Sequence, residues 1–111
     1  MAIIVIEFPV FADTIIHVET SKDFEKTIQK YPCIRRGEEC LCDANALTIS
    51  AGNVIFIFLR PNADVGAIAH ESWHAVRYML GTLGVDLDNE TVAYHLGYLV
   101  NKIFNFIRRN R

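Results

Sequence analysis

No stretch of the chain approaches the length of a membrane-spanning helix, and no Pro/Gly/Ser-rich linker, internal repeat or low-complexity tract divides it. The first absence argues against a helical membrane span. The second leaves the 111 residues as one domain, residues 1–111, within the usual range for a single hydrophobic core. An excess of one charge is also missing, since 11 Lys and Arg stand against 13 Asp and Glu. Neither nucleic-acid binding nor a membrane-surface patch is therefore expected. The basic cluster Arg108-Arg109-Asn110-Arg111 reads as a solvated helix end, where cations suit the dipole. Cysteine is sparse: Cys33, Cys40 and Cys42 make an odd count, and Cys40 and Cys42 are too close for the common zinc-knuckle spacing. Reduced thiols and a cytoplasmic setting are expected. The apolar opening from Met1 to Ile6 lacks a basic flank and is interrupted by Glu7 and Pro9, so it reads as a buried strand rather than an export signal.

What the chain has in quantity is apolar residues, 51% of the total, and their periodicity sorts them into elements. Strands are expected at 2–8 and 14–19. Thr20 or Ser21 should cap a short helix with Phe24, Ile28 and Tyr31 on one face, ended by Pro32. Residues 33–45 read as a loop. Residues 47–50 and 54–59 flank an Ala51-Gly52-Asn53 turn and predict a hairpin. The unbroken apolar run at 54–59 predicts burial on both faces. Asn62 or Asp64 should cap a helix over 64–81, stopped by Gly81-Thr82-Leu83-Gly84. A last helix is predicted from Asp86 or Asp88 to about Arg108, with Val92, Leu96, Leu99, Ile103 and Ile107 at three- and four-residue steps. Strands first and long helices last describe an α+β domain: a small antiparallel or mixed sheet with two long C-terminal helices packed on one side.

The helix at 64–81 carries His70-Glu71-Ser72-Trp73-His74. Ala69, Trp73, Val76 and Leu80 form its expected anchoring stripe. His70 and His74 are four apart, hence on one face and one turn apart, and two imidazole nitrogens so placed can reach one tetrahedral zinc. Glu71, beside them, is placed to take a proton from water that a metal acidifies to roughly pKa 7, and to pass it to a leaving amine. The motif is short, and two surface histidines on an amphipathic helix are its bland alternative. A catalytic zinc site uses a third protein ligand. Arg77 and Leu80 stand where the metzincin pattern requires Gly and His, so the last helix must supply it, through Glu90 or His95. With the apolar stripe centred near Leu96, Glu90 falls on a flank of small residues that allows close approach, and His95 on a flank that looks solvated; Glu90 is favoured. Tyr94, Arg77 and His95 are candidates for a second donor to the oxyanion. Asp64, Asp86 and Asp88 are candidates to orient a ligand histidine.

His70-Glu71-x-x-His74, followed by Glu90-x-x-Ala93-Tyr94-x-Leu96-Gly97-x-x-Val100, resembles the gluzincin pattern, in particular that of the ImmA/IrrE-type metallopeptidases and of small metallopeptidases of phages and their hosts. The resemblance covers about residues 54–104; Tyr94 stands where Asn is usual, and the spacing from His74 to Glu90 is short. It implies a zincin-like minimal core, Zn2+ held by His70, His74 and Glu90, Glu71 as general base, and a protein or peptide substrate. The alternative is a non-catalytic binding or inhibitor protein on the same scaffold. The small size leaves little chain to wall a cleft, so a homodimer, or an open groove along the strand at 54–59, is expected to complete it.

Overall fold

A computed structural model of the chain describes residues 2–8, 14–34, 45–82, 84 and 88–110. Met1, Pro9, Cys40, Cys42, Leu83, Asp86 and Arg111, with residues 35–44 of the expected loop, lie outside this set. The domain is α+β. Four strands, β1 (Ile3–Glu7), β2 (Ile15–Thr20), β3 (Ala46–Ala51) and β4 (Val54–Leu59), form one mixed sheet in the order β1-β2-β4-β3. β1 pairs antiparallel with β2, β3 pairs antiparallel with β4, and the central pair, β2 and β4, is parallel. Gly52, at φ 67°, makes the turn between β3 and β4 in a backbone region that a side chain would strain.

Alternation along the strands divides the core in two. Ile16 and Val18 of β2 and Ile55, Ile57 and Leu59 of β4 face α2 (Val65–Thr82) and α3 (Asn89–Arg109). Phe56 and Phe58 face the other way, where Phe24 and Ile28 of α1 (Phe24–Ile28) cover them. The two long helices thus share one side of the sheet, as expected, while the short helix closes the opposite side. That is why β4 is buried on both faces. The strand is also flanked on both edges, by β2 and β3, so it offers no free edge to a groove; the edge strand near α2 is β3.

Helix boundaries follow their caps. The carboxylate of Asp64 accepts from the backbone N–H of Ala67 at 2.8 Å and starts α2. Asp88 accepts from the N–H of Thr91 at 2.8 Å and starts α3. Those hydrogen bonds, from the Thr91 backbone and hydroxyl, hold the Asp88 carboxyl below its usual range. The short helix differs from expectation: Asp23, not Thr20 or Ser21, is its N-cap, and it ends at Ile28, before Tyr31. Ser21 instead turns its hydroxyl to accept from the N–H of Asp23 at 3.0 Å.

Both long helices are rotated relative to the stripes read from the sequence. α2 anchors through Ile68, Ala75, Val76, Met79 and Leu80, while Trp73 is 40% exposed at the rim, beneath the Arg77 guanidinium. α3 buries Val92, His95, Leu99, Ile103, Phe106 and Ile107. Its stripe therefore centres on Leu99 rather than Leu96, because Phe106 and His95 belong to it. No helix among the described residues is long and apolar enough to cross a membrane.

Candidate metal and catalytic site

α2 holds His70, exposed, and His74, half-buried, one turn apart on one face. Their Nε2 atoms approach to 3.2 Å, with the rings edge to face at 4.8 Å between centroids. Two ligands of a tetrahedral zinc at 2.0–2.1 Å lie about 3.3 Å apart, so the pair has the separation of two corners of such a site. Without a metal, the same contact is an N–H···N hydrogen bond in which one ring donates and the other accepts.

Glu71 is buried, and its carboxylate lies between the histidine face and the sheet edge. One oxygen accepts from the hydroxyl of Thr48, on β3, at 2.7 Å. The other lies 3.9 Å from His70 Nε2. Thr48 thus fixes the rotamer of Glu71 with one oxygen engaged and the other turned toward the histidine nitrogens. The side chain opens on a cleft of about 600 Å³ between the start of β3 and the first turns of α2, bordered by Asn45, Arg60, Asn62 and His70. Thr48 carried no signal in the sequence, because a threonine in a strand is ordinary; only the pairing of β3 with β4 sets it beside α2.

The third ligand is not brought to the pair. No group of three or more His, Cys, Asp or Glu side chains placed to hold a metal occurs among the described residues. α2 continues eight residues past His74, about 12 Å at 1.5 Å per residue, before the chain turns back, and α3 begins only at Asn89. Glu90 therefore sits on the first turn of α3, exposed, at the far end of α2 from His70. The flank assignment on α3 was inverted. Ala93, Tyr94 and Gly97, expected to line a close approach, are exposed, with Tyr94 62% accessible. His95, expected in solvent, is buried against Phe8 and Tyr94. Its Nδ1–H donates to the carbonyl of Thr91 at 2.7 Å, which places the lone pair of the neutral ring on Nε2. The cause of the inversion is the stripe centre: moving it from Leu96 to Leu99 carries His95 inward and turns Glu90 outward.

A second polar cluster lies on the opposite face of the sheet. Glu19 is fully buried on β2. It accepts from Lys30 Nζ at 2.6 Å, from His17 Nε2 at 3.1 Å, and from the Tyr31 hydroxyl. Burial pushes its carboxyl up, but these hydrogen bonds together prevail and hold it below its ordinary value. Burial, and then the adjacent Glu19, push the Tyr31 hydroxyl up to about 12. With the Tyr31 proton committed to Glu19, His17 Nε2 is the donor in its own contacts. The visible sign in the sequence was a carboxylate two residues from a histidine inside an otherwise apolar alternation, His17-Val18-Glu19.

The chain matches no protein-family model, no curated protein and no solved structure.

Proposed function

We propose that the chain is a zinc-dependent peptidase whose catalytic base is Glu71. The observation that carries this reading is the convergence of His70 and His74 Nε2 at 3.2 Å beside a buried carboxylate that Thr48 holds in place. A histidine pair serving only as helix surface has no use for a carboxylate positioned in this way. Zinc supplies Lewis acidity at such a site, acidifying water and polarising a carbonyl. Glu71 takes the proton of the attacking water and delivers it to the departing amine. Its burial and its engagement with Thr48 keep the accepting oxygen directed at the histidine face.

On this reading Glu90 would supply the third ligand, which requires the first turn of α3 to lie closer to the histidines than it does here. Tyr94 lies one turn further along the same exposed face and in that arrangement would offer its hydroxyl as a donor to the developing oxyanion. The odd cysteine count is the feature that favours reduced thiols and a cytoplasmic setting. A homodimer would lengthen the walls of the open cleft.

The test is cleavage of an unstructured protein by the zinc-loaded chain. Glu71→Gln is expected to retain zinc and lose about a thousandfold in kcat. Equal cleavage by the wild type and Glu71→Gln would overturn the assignment. One observation favours a second reading: Glu90 stands apart from the histidine pair. A binding protein on the same scaffold needs neither the third ligand nor Glu71, and would neither cleave peptides nor depend on zinc.

A further inference from the structure

The parallel strands at the centre of the sheet send their following helices to opposite faces: β2 leads into α1 on one side, and β4 leads into α2 on the other. Where this happens in an open sheet, a crevice forms outside the carboxyl ends of the strands, and ligands bind there. Here the two strand ends are tied together by the N–H of Ser21, which donates to the carbonyl of Leu59 at 2.9 Å. The crevice runs across them. Lys22 and Lys26 line it on the β2 side, and Arg60 on the β4 side. The Arg60 guanidinium is fixed by stacking 3.9 Å over the Phe24 ring and by donating to the carbonyl of Lys22. Arg60 and Asn62 are also walls of the cleft that holds His70 and Glu71. The depressions thus adjoin through a shared wall, each of about 600–660 Å³.

The crevice at the strand ends is positive, with Lys22, Lys26 and Arg60 against Asp23, whereas the adjoining cleft carries Asp64 and Glu71 beside Arg60. Asp23 and Asp64 cap their helices, accepting from the N–H groups of Lys26 at 3.2 Å and Ala67 at 2.8 Å. Lys30 is paired with Glu19. Lys22 and Lys26 are exposed and form no ion pair among the described residues.

We infer that the groove binds an acidic segment of a polypeptide, laid from Lys26 and Lys22 past Arg60 to the cleft at His70 and Glu71. The assignment of a peptide rests on the peptidase reading; the acidic character rests on the cations of the groove. An extended chain spans several adjoining depressions, whereas a single small anion fills only one of them.

Binding separates the two ideas. A fluorescent peptide containing a run of glutamates is titrated against the Glu71→Gln protein, which leaves it intact, alongside a peptide with glutamine at the same positions. The glutamate peptide is expected to bind about tenfold more tightly, and Lys22→Gln/Lys26→Gln to abolish that preference while leaving the melting temperature unchanged. Equal binding of the two peptides, a preference that survives the double substitution, or displacement by inorganic phosphate as effective as by the glutamate peptide would each overturn the inference. A retained preference for the acidic peptide in a protein that holds no zinc would sink the peptidase reading and leave the groove standing. Zinc-dependent cleavage without any acidic preference would do the reverse.

Discussion

At the scale of single residues, the buried groups of the sheet set the response to pH. Tyr31 is held at about 12 in the folded state, against an ordinary value of 10.0. The folded state therefore binds this proton more tightly, and the stability it contributes is full below pH 10 and lost as pH rises toward 12. Glu19 runs the other way: with its carboxyl held below the ordinary 4.5, its contribution is present above that pH and lost on acidification through the folded value. Thermal melts of Tyr31→Phe are expected to show a loss of about 1–3 kcal/mol at neutral pH, because a hydrogen bond to a buried carboxylate is gone. They should also lose the part of the alkaline fall between pH 10 and 12 that the wild type shows. An unchanged alkaline limb would contradict the assignment. Thr48 acts through Glu71 as a positioning residue. Thr48→Val should keep zinc affinity, lower kcat about tenfold with little change in KM, and be rescued by Thr48→Ser, which restores the hydroxyl. A change confined to KM would mean that Thr48 meets substrate instead. Neither role was legible in the sequence: both depend on which strand lies beside which, and a one-residue shift of register would have turned Glu19 away from Tyr31.

At the scale of elements, boundaries were legible where caps and breakers act locally, and helix phase was not. The start of α2 at Asp64, the start of α3 at Asp88 and the turn at Gly52 each follow from chemistry within a few residues. The phase of α3 depended on Phe8, a residue far away in sequence, which receives His95 and Tyr98 and so draws that flank inward. The sequence stripe gave most weight to the aliphatic positions and left out Phe106, and the resulting rotation exchanged the fates of Glu90 and His95. On α2, the hydroxyl of Ser72 is fully buried without a hydrogen-bond partner among the described residues. An unpaired buried hydroxyl is destabilising, and alanine has the better helix propensity. Ser72→Ala is expected to raise stability by about 1 kcal/mol in denaturant melts, and a loss would show that the hydroxyl has a partner in solution.

At the scale of the molecule, strands followed by long helices correctly implied an α+β domain, and the apolar run of β4 correctly implied a strand covered on both faces. The order of strands, the parallel central pair and the placement of α1 opposite the long helices were not encoded in any local pattern, since they result from which apolar faces meet across the core. The same topology gives the candidate site its surroundings: β3 beside α2 presents Thr48 to Glu71, and the crevice at the ends of β2 and β4 adjoins the cleft through Arg60 and Asn62. The histidine pair was legible because helical spacing alone sets its geometry. The position of Glu90 relative to that pair was not, because it depends on where α3 begins and on how the two helices meet.

The most direct test of the central claim is the zinc content of the purified protein, measured by elemental analysis for the wild type, His74→Ala and Glu90→Gln. About one zinc per chain in the wild type, lost in His74→Ala and weakened in Glu90→Gln by tenfold or more, is the predicted result. A wild-type chain that holds no zinc even when zinc is supplied would contradict the account and leave His70 and His74 as two imidazoles sharing a hydrogen bond on the surface of a helix.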